Sequence, residues 1–238
     1  GGLTAVERIG ELLDKPIEIV DLAPERRSAK AHAAISAGDS GHAAEVVFEN
    51  VSFAYRDDAP ILTDLCFRIA PGEHVAIVGP TGSGKTTIIR LLCRLYEPQR
   101  GRILLDGVDI RELPLPLLRR RLGVVLQDNF LFSGNVADNL RLDADLSDAA
   151  LQDLCRDLGL DPLLGRLDAG LSTELRERGA NLSSGERQLL AVARVAIRQP
   201  AVLVMDEATA FLDPATEATL QRDLETLLRG RTAIVIAH

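Results

Sequence analysis

Gly79-Pro80-Thr81-Gly82-Ser83-Gly84-Lys85-Thr86 follows the apolar run HVAIV at 74–78 and precedes the stretch TIIRLL at 87–92. The octapeptide has the spacing GxxxxGK[ST], a P-loop. Its glycines let the backbone curl until successive N–H groups of residues 79–87 point inward at phosphate oxygens. The apolar run predicts a short strand buried on both faces, and Lys85 to about Leu95 predicts a helix. The N-terminus of that helix adds partial positive charge toward a bound anion. Lys85 is placed to reach the β- and γ-phosphates of a nucleotide, and the Thr86 hydroxyl to ligate Mg²⁺. Glycine, lysine and hydroxyl side chains are common enough for an accidental match, but the strand before and the helix after make this one specific.

Outward from the loop the texture is α/β. Upstream, VVFENVSFAY (46–55) and ILTDLCFRIA (61–70) read as extended, β-branched and aromatic segments with an antiparallel appearance. Downstream, RILLDG, GVVLQD, AVLVMD and TAIVIA are strand candidates, separated by helical stretches such as SGERQLLAVARVAIRQ. Strands alternating with helices predict a P-loop NTPase core with a mostly parallel sheet, an antiparallel β flank and an inserted helical subdomain at about 128–199. Val202-Leu203-Val204-Met205-Asp206-Glu207 is a buried strand that delivers two acids at its carboxyl end, where open α/β sheets bind ligands. Asp206 is placed to hold the Mg²⁺ water shell, and Glu207 to orient and polarise the attacking water.

The chain has 238 residues, 46% of them hydrophobic and 26% charged, with 27 Lys+Arg against 35 Asp+Glu and a net charge of −8. This acidity argues against a protein that wraps nucleic acid by broad phosphate neutralisation, while leaving room for a local anion site. Cys66, Cys93 and Cys155 are isolated and read as small buried hydrophobes. No apolar run reaches the length of a membrane span. Residues 4–14 (TAVERIGELLD) have helical spacing up to Pro16, and residues 24–44 lose pattern and read as a linker. The chain opens Gly1-Gly2, its one methionine is Met205, and Thr232–His238 reads as a strand with no turn after it. The expectation is a piece of a longer protein, cut at both ends.

Leu182-Ser183-Ser184-Gly185-Glu186 lies ahead of an amphipathic helix and before Asp206. With the two phosphate-site elements in this order, residues 45–238 resemble the nucleotide-binding domain of an ATP-binding cassette (ABC) transporter. The segment resembles the LSGGQ signature, with Ser184 in place of its third residue and Glu186 in place of its fifth; Ser183 and Gly185, which in the family face the γ-phosphate held by a partner subunit, are retained. The resemblance implies further roles. Tyr55 matches the aromatic that stacks on adenine, although Val51, Phe53 and Tyr55 share one strand face and core packing stays open. Gln127 matches the Q-loop glutamine on Mg²⁺ and water, Asp213 the D-loop aspartate that crosses the dimer interface, and His238 the switch histidine on the γ-phosphate. Phe211 is bulkier than the family's usual small residue there.

Three further segments resemble the exporter branch: Glu174–Gly179 ahead of the signature, Phe132–Asn139 after the Q-loop, and the helix at 4–14, which is similar to the connector leaving the last membrane helix. The resemblance thus implies an N-terminal helix and linker (1–44) from a membrane domain and an ATPase domain (45–238) truncated at its C-terminus. It implies ATP and Mg²⁺ as ligands and a second nucleotide-binding domain, identical or different, paired head to tail across two ATP molecules. A transmembrane domain N-terminal in the same polypeptide, a place on the cytoplasmic face of a membrane and no nucleic-acid partner are implied as well. A soluble ABC ATPase of translation or DNA repair is the alternative from another class, for which a second cassette, a coiled-coil insertion or basic arms are expected and none is present. A regulatory cassette with little hydrolysis is another, which the presence of Glu207 and His238 disfavours.

Overall fold

A computed structural model gives the structure of residues 19–37, 42–56, 58–125, 131–142, 144–206, 225 and 228–237. The extended segments upstream of the loop form an antiparallel sheet. β1 (Val46–Arg56) pairs with β2 (Ala59–Ile69) on one side and with β4 (Arg100–Leu105) on the other; β5 (Val108–Asp109) completes the order β2-β1-β4-β5. Phe48 faces Phe67, but Val51 faces Leu65, so β1 bulges between them. The bulge changes the parity of the strand and keeps Val46, Phe48, Val51 and Phe53 all buried.

The second sheet is parallel. β3 (His74–Val78), β10 (Thr232–Ala237), β9 (Val202–Asp206) and β6 (Leu122–Val125) lie side by side in that order. β9 shows why its sequence is continuously apolar. Val202 and Val204 enter a core shared with the antiparallel sheet, and Leu203 and Met205 enter a second core formed with the downstream helices. β3 differs from expectation. Among the described residues it is the edge strand of its sheet; Val75 and Ile77 are half-buried, while Ala76 and Val78 are exposed, Val78 at 71%. Val75 and Ile77 pack against the core shared with the antiparallel sheet, and the opposite face, with Ala76 and Val78, is not covered by the described residues.

α2 (Lys85–Leu92) and α3 (Leu115–Arg121) belong with the first core. α4 (Val136–Arg141), α5 (Asp148–Asp157), α6 (Asp161–Leu164) and α7 (Ser184–Ala196) build the second, α7 packing on α4 and on β6. The stretch read as a helical subdomain also holds a two-stranded ribbon, β7 (Gly134–Asn135) with β8 (Glu174–Leu175).

The stretch read as a patternless linker is structured. It contains a 3-10 turn (Pro24–Arg26) and α1 (Ala29–Ala37), whose sequence AKAHAAISA is rich in the best helix former but has no apolar period to reveal it. α1 is anchored where the Ser28 N–H and hydroxyl both donate to Glu112 Oε2, and Ala31 is fully buried. Further back, Arg94 is 2% exposed and binds Glu97 Oε1 at 2.9 Å, Asp21 Oδ1 at 3.3 Å and the carbonyls of Val20 and Leu113. The helix expected at 4–14 lies outside the described residues. The cysteine expectation holds for Cys155, which is buried, in part for Cys93, and not for Cys66, which is exposed at the surface of β2.

Candidate nucleotide-binding site

β3 hands directly into the loop at Gly79, and α2 begins at Lys85. The helix is capped by Gly84, whose φ of +89° lies in the left-handed region. That backbone is what favours glycine, and a Cβ there would also come within 2.9 Å of Leu62 Cδ2 and 3.1 Å of Ile61 Cγ2, so the side chains of β2 would have to shift. Within the loop the Ser83 N–H donates to Pro80 O at 3.1 Å. The Lys85 side chain, 6% exposed, turns back so that Nζ donates to Gly79 O at 2.6 Å and to Pro80 O at 3.1 Å. The loop thus wraps its own ammonium group, which sits among backbone dipoles at a helix N-terminus. That combination of buried cation and converging amides is suited to a polyanion. Thr86 is exposed at the first turn of α2, and Thr87 is buried.

Tyr55 stands beside this loop. It lies on the same face of β1 as Val51 and Phe53, but the strand outruns the core, and Tyr55 is 41% exposed. Its ring meets Phe53 edge-on at 4.9 Å and Tyr96 edge-on at 5.1 Å. Its hydroxyl lies 3.2 Å from Thr87 Oγ1 and accepts from Arg90 Nη1 at 3.0 Å. That hydrogen bond, with the fields of Tyr55, Tyr96 and Asp206, raises the Arg90 guanidinium further into its charged range. Packing against Phe53 and exposure beside the loop are both realised.

Asp206 ends β9, and the topology brings it to the loop. β10 lies between β3 and β9, with Ala237 opposite Val78 and Ile236 opposite Asp206. Two interstrand spacings, about 10 Å, therefore separate the backbone of Asp206 from that of Val78, the residue before Gly79. Thr86 offers one hydroxyl and Asp206 one carboxylate, and no cluster of three or more His, Cys, Asp or Glu suited to a metal exists among the described residues. A hydroxyl and a carboxylate are the hard oxygen donors that suit Mg²⁺ when nucleotide phosphates and water fill its other positions.

Ser183 and Gly185 are on a different element, the head of α7. Ser183 is its N-cap, closing a capping box with Glu186. Gly185 is buried in the first turn. The structure therefore brings together Tyr55, the loop 79–87 and, through β10, Asp206, and it presents Ser183 and Gly185 at a helix N-terminus. Gln127, Glu207, Phe211, Asp213 and His238 lie outside the described residues. Arg90 is a residue that sequence reasoning did not single out. Its signal was the i, i+3 spacing from Thr87, which places the two side by side on one helix face.

Comparison with known proteins agrees with this geometry. A family model described as ABC transporter matches residues 62–210. The chain is 44% identical over 81% of its length to a "Probable multidrug resistance ABC transporter ATP-binding/permease protein" of Bacillus subtilis, covering 29% of that protein. It is 38% identical over all of its length to a fatty acid ABC transporter ATP-binding/permease protein of Mycobacterium tuberculosis, covering 36% of it. The chain spans about a third of the length of these curated relatives. Among solved structures it is similar to a bacterial Atm1-family ABC exporter with ATP bound, at a TM-score of 0.78 and 37% identity, covering all of this chain and 40% of that one.

Proposed function

Because the chain belongs to the ABC transporter family, we propose that it is the ATP-hydrolysing cassette of a membrane exporter. The observation that carries this reading is the wrapped Lys85 in the loop between β3 and α2, with Asp206 delivered beside it by the register of β10. The loop amides and Lys85 neutralise the triphosphate, Tyr55 offers its exposed ring to the base, and Thr86 and Asp206, with Gln127, would hold Mg²⁺. When bound, the metal supplies charge neutralisation at the phosphate oxygens. Glu207, which directly follows Asp206, and Gln127 and His238 are assigned the water-facing and γ-phosphate-facing roles.

The site is completed by a second cassette, identical or different. Ser183 and Gly185 of one cassette face the γ-phosphate held by the other and Asp213 crosses the interface, so nucleotide joins the pair and hydrolysis releases it. Support for the membrane side comes from the names of the relatives, which are ATP-binding/permease proteins, and from the Atm1-family exporter whose structure the chain resembles. The attached transmembrane domain lies N-terminal in the same polypeptide, residues 1–44 leading from it into the ATPase domain at 45–238. The cassette sits on the cytoplasmic face, where ATP is available.

Glu207→Gln tests the assignment. The variant is expected to lose steady phosphate release while keeping ATP affinity and accumulating as an ATP-bound pair, seen by light scattering. Hydrolysis at the wild-type rate removes Glu207 from the catalytic role.

A further inference from the structure

We propose that Arg90 is a positioning residue that latches the base-binding ring of Tyr55 to the phosphate loop through a hydrogen-bond chain, Arg90 to Tyr55 to Thr87. The proposal rests on the nucleotide reading above and extends it to a residue outside the loop motif.

Donor chemistry fixes the direction of the outer link. A guanidinium donates and never accepts. The bond of 3.0 Å from Arg90 Nη1 therefore makes the Tyr55 oxygen an acceptor. The phenol has a single proton, and its other neighbour is Thr87 Oγ1 at 3.2 Å. Either hydroxyl can supply the proton between them, and in both cases the Tyr55 oxygen is held from two sides. Thr87 is in the first turn of α2, directly after Lys85 and Thr86, so the chain ends on the helix that the phosphate loop opens.

Packing shows why such a latch matters. Phe53 and Tyr96 contact the Tyr55 ring at interplanar angles of 88° and 87°, which confines the ring but leaves its exposed part able to tilt. Thr87 and Arg90 stand one turn apart on α2 and engage the hydroxyl from the same helix, so the far end of the ring is held at the site's own phosphate-binding element. The aromatic platform comes from the antiparallel sheet and the phosphate loop from the parallel one. The latch makes them a single preformed surface, and a nucleotide binding it orders less of the protein.

A double-mutant cycle on equilibrium binding of MgATP to the full chain, measured by titration calorimetry, tests this. Y55F keeps the ring and removes the hydroxyl; R90A removes the outer donor. Each single variant is expected to bind ATP about fivefold more weakly, the scale of one ordinary hydrogen bond. R90A/Y55F is expected to match either single variant, because both changes break the same chain. If Arg90 acts only as a nearby positive charge, its effect persists in the Y55F background, the losses multiply to about 25-fold, and the latch is overturned. R90A binding at wild-type strength overturns it as well. A wild-type chain with no measurable affinity for MgATP overturns the nucleotide reading itself, whereas wild-type binding with a multiplicative cycle overturns the latch alone.

Discussion

The Ser183 hydroxyl and the Glu186 carboxylate hold each other at the head of α7. Ser183 N–H and Oγ both donate to Glu186 Oε2 at 2.9 Å, and the Glu186 N–H returns a bond to Ser183 Oγ at 3.2 Å. The position where this sequence departs from the family signature is therefore a working half of a helix cap. Glu186→Gln retains an acceptor for the Ser183 N–H and is expected to leave stability within about 0.5 kcal/mol. Glu186→Ala removes the cap partner and is expected to cost about 1 kcal/mol. Urea unfolding midpoints decide between them, and an Ala variant as stable as wild type shows that the box contributes nothing.

Gly84→Ala meets two obstacles together: a left-handed backbone and the side chains of Ile61 and Leu62. The expected outcome is a loss of about 2 kcal/mol in stability, with ATP affinity falling at least roughly tenfold as the amides of the loop shift. Calorimetric titration with MgATP measures the second effect. Unchanged affinity would mean that the loop tolerates the displacement and that β2 does not set its shape.

The thiols divide by burial. Burial pushes Cys93 up to about 11, against the opposing field of Arg119, and burial with the field of Asp161 takes Cys155 to about 11 from the ordinary 9.0. Both favour the protonated form in the folded chain, so their contribution to stability is complete below pH 9 and declines as pH rises through 11. Cys66 is exposed, and its sulfur engages Asn50 at 3.1 Å. A disulfide reagent at pH 8 is expected to label Cys66 rapidly in the folded chain and all three cysteines after unfolding. Rapid native labelling of Cys155 would contradict the burial.

Arg94→Met is expected to destabilise the chain by about 2–3 kcal/mol, because it leaves two carbonyls and two carboxylates without their shared donor. Asp21 and Glu97 are partly solvated, which keeps the effect below that of a fully buried pair. Asp21→Ala is expected to cost less than 1 kcal/mol, although its carboxylate also accepts from the Leu115 N–H at 2.9 Å. Equal unfolding midpoints for Arg94→Met and wild type would sever the link between residues 20–21 and the core.

Local chemistry decided what was legible in the sequence. The loop at 79–86 could be read because its glycines, lysine and threonine act within eight residues, and β9 because a strand covered on both faces is apolar at every position. α1 was not legible, since an alanine-rich helix lying flat on β5 needs neither a stripe nor a period. β3 was misjudged because an apolar run does not report whether a layer packs on each face of its strand. The fate of Tyr55 depended on where β1 leaves the core and on α2, 35 residues further along the chain at Arg90, and no local pattern records that meeting.

The place of β10 in the parallel sheet has a consequence for the order in which the molecule is made. β3, which leads into the phosphate loop, and β9, which carries Asp206, do not touch; β10 separates them and pairs with both. Yet β10 comes after both in the chain, and the Gly72 N–H that donates to its Thr232 hydroxyl was synthesised 160 residues earlier. During synthesis the loop and the acid therefore exist as two unregistered halves until Thr232–Ala237 slides between them. Assembly of the phosphate site is a late, long-range closure of the fold, slow by the entropy of the loop it must close, and a ribosome-bound chain that has not reached residue 232 lacks the strand that brings the halves together.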